Sequence, residues 1–102
     1  MNMKKIPTIQ FADTASKQKW TKFAELNPGP NGYAVTSYAH TLILVMQGLL
    51  EQKKNATIHE VATSAIAEVH SGNLSTEQRK CAMTLISDCW IHGKDFASCV
   101  AA

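Results

Sequence analysis

The chain has 102 residues, of which 45% are hydrophobic and 18% charged, a composition typical of one folded domain rather than a disordered chain. The formal net charge of +2 argues against an inhibitor that mimics nucleic acid, because mimicry needs a strongly acidic surface. Three cysteines without disulfide-scaffold spacing, Cys81, Cys89 and Cys99, predict free thiols in a reducing cytosol.

The N-terminal part is the basic region of the chain. Up to residue 22, Asp13 is the only acidic residue. Pro7 blocks a helix, and Ile9 and Phe11 alternate with polar residues, so residues 1–13 are predicted to form an extended arm packed on the body. The segment has no apolar core of the kind that a signal peptide needs. Its excess of positive charge comes from five lysines, Lys4, Lys5, Lys17, Lys19 and Lys22.

A first helix is predicted over residues 15–26. Thr14 or Ser16 could cap it through a side-chain hydroxyl, and Trp20 and Phe23 share one face that is expected to pack on the core. Two prolines and two glycines within residues 27–32 then predict a loop.

The second and longest helix is predicted over residues 33–53. Its five consecutive apolar residues, 42–46, cover every side of a helix, which is typical either of a central helix or of one shared in a homodimer. The segment is too polar for a lone membrane span, since it includes Thr41 and Gln47. His40 is expected to be buried and hydrogen-bonded.

Two further helices are predicted over residues 57–71 and 75–92. Each begins with a capping-box pattern, Thr57 with Glu60 and Ser75 with Gln78, in which the side chains satisfy each other's backbone donors. Gly93 suits the position just after a helix, and residues 94–102 are expected to form a short tail or a last partial turn. The sequence therefore predicts an all-α, four-helix bundle-like single domain over residues 1–102 with an extended N-terminal arm.

No pattern predicts an enzyme, a cofactor or a metal. Cys89 and His92 could face one ion from a single helix, but small buried thiols explain the cysteines better. The acidic residues are scattered, and the glycines beside Pro28 and Pro30 form no phosphate-binding loop. The basic N-terminal lysines, with Trp20 nearby, leave nucleic-acid binding open as an alternative.

The segments predicted as the second to fourth helices carry a family resemblance. The turn at 31–33, the helix entry at 33–35 and the segment Ser87-Asp88-Cys89-Trp90-Ile91-His92-Gly93 resemble a family of small helical accessory proteins of tailed phages and prophages. The resemblance covers roughly residues 18–96, and residues 76–80 depart from the family pattern. It implies a phage setting, in which small accessory proteins often bind and block a host defence complex.

The sequence therefore favours a phage or prophage protein-interaction module that acts in the bacterial cytoplasm. An anti-CRISPR or another anti-defence inhibitor that blocks a host protein complex, such as a CRISPR effector, by steric binding is the first hypothesis. A nucleic-acid-binding accessory protein, or an oligomeric virion or assembly component, is the alternative. The predicted contact surface comprises Lys4, Lys5, Lys17, Lys19, Lys22, Asn31 and Tyr33.

Overall fold

A computed structural model of the protein describes residues 8–69 and 74–100, and its regular elements there are all α-helices. The prediction of an all-α fold is thus confirmed, with a fifth helix of 8 residues where a short tail or a last partial turn is predicted. The helices are α1 (Thr14–Leu26), α2 (Pro30–Gln52), α3 (Ile58–Glu68), α4 (Thr76–Cys89) and α5 (Gly93–Val100).

The second helix is the centre of the fold. It packs against α1, α3 and α4, while α5 closes the bundle against α3 and α4. Leu42, Ile43 and Met46 have no exposed surface, so one chain already buries much of the apolar run that raised the question of a homodimer. Of the described helices, α2 alone is long and apolar enough to cross a membrane. Its buried residues, which include Leu42, Ile43 and Met46, belong to the hydrophobic core of the bundle.

Two helix starts differ from the sequence prediction. Helix α2 begins at Pro30, ahead of Tyr33, because proline already has the backbone angle of a first helical residue and lacks only an N–H that would be unpaired there. Helix α1 is capped by Asp13, whose carboxylate accepts a 2.7 Å bond from the Ser16 N–H; Thr14 and Ser16, the predicted caps, lie inside the helix.

Of the two predicted capping boxes, the one at the start of α4 is complete and the one at the start of α3 is half formed. Ser75 and Gln78 form the complete reciprocal pair at the start of α4. At the start of α3 the Thr57 hydroxyl accepts a bond from the Glu60 N–H, but no reciprocal bond from the Glu60 side chain is present between these two described residues.

The extended arm explains why α4 ends at Cys89 instead of continuing to residue 92. The Ala12 N–H donates to the Cys89 carbonyl, and the Ile91 N–H donates to the Gln10 carbonyl, both at 3.0 Å. Trp90 therefore has extended backbone angles and pairs with Phe11. The described part of the arm packs on the body, as the sequence predicts.

Gly93 begins α5 and does not follow α4 as a C-terminal cap. A Cβ atom at Gly93 would overlap the backbone carbonyl of Ser87, so the close approach of two chain segments, rather than a left-handed backbone, requires glycine here. The turn aims α5 back onto the bundle, where Phe96 is completely buried.

Candidate protein-interaction site

A shallow groove of about 280 Å³ runs between α1 and the N-terminal half of α2. Tyr33 is 72% exposed at one end, and His40 is exposed two turns later on α2. Trp20 forms the half-buried wall on α1, where its ring packs edge-on against Phe11 with centroids 5.8 Å apart. The groove is lined by Trp20, Tyr33, Thr36, Ser37 and His40.

The corner between α1 and α2, residues 26–33, holds Tyr33 in place. A Cβ atom at Gly32 would overlap the backbone carbonyl of Asn27, so the end of α1 touches the first turn of α2 directly. Asn27 caps α1 by donating its side-chain amide to the Phe23 carbonyl at 2.9 Å. Gln78 of α4 donates to the Asn31 side chain at 3.3 Å. The corner is therefore tied both to α1 and to α4.

The lysines of α1 do not share one face. With 3.6 residues per turn, Lys17 lies about 60° around the axis from Trp20, beside the groove, whereas Lys19 lies about 160° from Lys17 on the far flank. Lys22 lies close to Lys19, and the positive charge of Lys19 contributes to lowering the pKa of Asp13. Helix geometry thus puts Lys17 on the Trp20 side of α1 and separates it from Lys19 and Lys22, and none of the three lysines lines the groove itself.

The other predicted contact residues fall in different places. Asn31 and Tyr33 lie at the corner, and Asn31 has a structural role through its bond with Gln78. Lys4 and Lys5 lie outside the described residues.

His40 corrects the expectation of a buried histidine, because it is exposed at the groove. Trp20 and Phe23 are half-buried and pack against the core, while Trp90 is fully buried, as the sequence predicts. The sequence patterns did not identify Ser37 and His40 as exposed residues of the groove. Their spacing from Tyr33, at four and seven positions, was the available signal for one exposed stripe.

The cysteine thiols and the Asp13 carboxylate have structural roles in the described part of the chain. The three cysteines are free, and burial raises the pKa of the Cys89 thiol, which keeps it protonated and unreactive. The bond from the Ser16 backbone lowers the pKa of Asp13, as expected of a helix cap. Across residues 8–69 and 74–100, no three His, Cys, Asp or Glu side chains come together as a metal site.

Comparison with known proteins identifies the defence system that the matched family inhibits. The family model of the type I Thoeris inhibitor Tad4 matches residues 10–100, whereas no curated protein and no solved structure gives a significant match. The expectation of an anti-CRISPR or another anti-defence inhibitor is therefore confirmed at the level of an anti-defence inhibitor, and its anti-CRISPR form is wrong, since the matched family acts against Thoeris. The chain belongs to the Tad4 family of type I Thoeris inhibitors.

Proposed function

We propose that this protein inhibits type I Thoeris as a non-catalytic binding protein in the bacterial cytoplasm, by seating a protein component of that system on the α1–α2 groove. The observation that carries the proposal is Tyr33, a large aromatic side chain left 72% exposed on a tightly held corner. Exposed tyrosines on rigid supports are frequent anchors of protein interfaces, because they provide contact area at a small cost in conformational entropy.

The size and lining of the groove support a protein partner over a small ligand. About 280 Å³ lies just below the usual range of small-molecule pockets, but it accommodates one or two side chains of a partner. Half-buried Trp20 provides an apolar wall, and Ser37 and His40 provide polar contacts along the α2 edge of the groove. Lys17 beside the groove favours a partner segment with an apolar side chain near a carboxylate.

The test is phage plating on bacteria that carry a type I Thoeris system and express this protein or a variant. Tyr33→Ala removes the anchor, and we expect binding to weaken by about 10- to 100-fold, so that defence is restored. Ser37→Arg, which fills the groove without changing the core, should restore defence as well. Western blots and thermal unfolding establish equal expression and folding.

Matched charge reversals test the position of the site. Lys17→Glu should weaken inhibition because Lys17 flanks the groove, whereas Lys22→Glu on the opposite flank should leave it intact. Ile91→Ala, which truncates an exposed apolar residue on the α4–α5 turn, is a second control. Full inhibition by both Tyr33→Ala and Ser37→Arg would reject the groove as the contact surface.

A further inference from the structure

A second recess, of about 520 Å³, lies between α2, α3 and α4. Its α2 wall is Tyr38, which helix geometry places about 140° around the axis from Tyr33. The recess is therefore separate from the groove of the proposed function. Its volume falls within the range of small-molecule binding sites.

Tyr38 carries a buried hydroxyl. The residue is 6% exposed, and its hydroxyl is buried with no hydrogen-bond partner among the described residues. Leaving such a group unpaired typically costs about 1–3 kcal/mol. A bound ligand that offered a hydrogen-bonding atom here would remove that cost, which makes the unpartnered hydroxyl an independent pointer to a ligand.

One face of α4 supplies the charged side of the recess. The lining residues of α4 follow one another at steps of three, one, three and one; Glu77 is not among them, although helix geometry places it about 60° around the axis from Lys80. The guanidinium of Arg79 can bind a phosphate with two parallel hydrogen bonds, and the ammonium of Lys80 adds a point charge. The α4 lining consists of Thr76, Arg79, Lys80, Met83 and Thr84.

Two of the lining residues are apolar. Ile66 of α3 is 40% exposed there, and Met83 of α4 provides an adaptable thioether surface. Two cations and two apolar side chains in one recess match a small molecule with a phosphate and an apolar portion. Two cations are too few to bind a long polyanion, because such binding depends on many phosphate contacts.

We propose that this recess binds a small organic phosphate of mononucleotide size. The phosphate lies against Arg79 and Lys80, the apolar portion lies against Ile66 and Met83, and the Tyr38 hydroxyl bonds a polar atom between them. The site does not depend on the proposed function of the groove, because the two surfaces share no residue.

The test is a titration of the full chain with adenosine monophosphate, adenosine and inorganic phosphate, followed by calorimetry and by the methyl NMR signals of Ile66 and Met83. We expect the monophosphate to bind saturably and to shift both methyl signals. Arg79→Ala should weaken its binding at least about tenfold, in line with the loss of a charge-assisted bidentate contact. Lys94→Ala, on α5, should leave the affinity unchanged.

Tyr38→Phe separates a ligand role from a structural one. Because its hydroxyl has no partner within residues 8–69 and 74–100, its removal should not lower the thermal unfolding midpoint, yet it should weaken binding of the monophosphate several-fold. Absence of saturable binding at about 1 mM, or equal binding of adenosine, overturns the proposal. Equal binding of inorganic phosphate, or binding that is insensitive to Arg79→Ala, also overturns it.

Discussion

At the scale of single residues, Gln47 joins three parts of the molecule. Its side-chain oxygen accepts bonds from the Gln10 N–H at 2.8 Å and from the Trp90 indole N–H at 3.2 Å. Its side-chain nitrogen donates to the Thr8 carbonyl at 3.1 Å. One amide on α2 therefore fixes the arm and satisfies the polar atom of a tryptophan that is 1% exposed.

Gln47→Ala should lower the free energy of unfolding by about 2–4 kcal/mol, because it breaks the arm contacts and leaves the Trp90 N–H buried and unpaired. Gln52→Ala, at the exposed end of the same helix, is the matched control and should change stability by less than about 0.5 kcal/mol. Urea denaturation measures both. Equal effects of the two substitutions would show that the Gln47 bonds contribute little.

The sequence predicts residues with a local pattern better than residues with distant partners. Ser75 and Gln78 are recognisable as a capping box because both partners lie within one helical turn. Gln47 has no such signature, since its partners are 37 to 43 positions away along the chain. His40 was assigned to the interior because apolar neighbours surround it in sequence, although it projects from the exposed edge of α2.

At the scale of elements, the close packing of the α1–α2 corner supports the presentation of Tyr33. Gly32→Ala places a Cβ atom against the backbone of Asn27, which cannot rotate away as a side chain would. We expect a loss of about 1–3 kcal/mol in stability from this overlap, measured by thermal unfolding, together with weaker inhibition of Thoeris in the plating assay.

Gly29→Ala is the matched control, because a Cβ atom at Gly29 meets no atom within 4 Å. The cost of a poorer helix cap and the gain from a stiffer unfolded chain are of similar size there, so we expect a change within about 0.5 kcal/mol. If Gly32→Ala had as little effect on stability and inhibition as Gly29→Ala, the corner would not be the rigid support that the account requires.

The helices themselves were largely predictable from apolar spacing, and their ends were less so. The sequence predicts a loop at Pro30, although proline is also favoured as a first helical residue. The turn at Gly93 was read as a helix end, because the sequence cannot show that the Ser87 backbone passes close to it. The start of α5 was missed for the same reason.

At the scale of the whole molecule, the apolar centre of α2 organises the bundle and leaves its N-terminal half to form one wall of the groove. Apolar spacing predicts the helical domain, and the family resemblance, rather than composition or net charge, implies the phage anti-defence setting. They could not distinguish CRISPR from Thoeris, because the identity of a partner depends on the complementary surface of that partner. The family match at residues 10–100 supplied this distinction.

The central claim is direct binding of a Thoeris protein through the groove, and co-purification tests it most directly. The tagged chain, or its Tyr33→Ala variant, is expressed with each type I Thoeris protein and purified after nuclease treatment. We expect a stoichiometric complex with one Thoeris protein that the variant fails to form. Full inhibition of Thoeris in cells without any such complex would contradict the account.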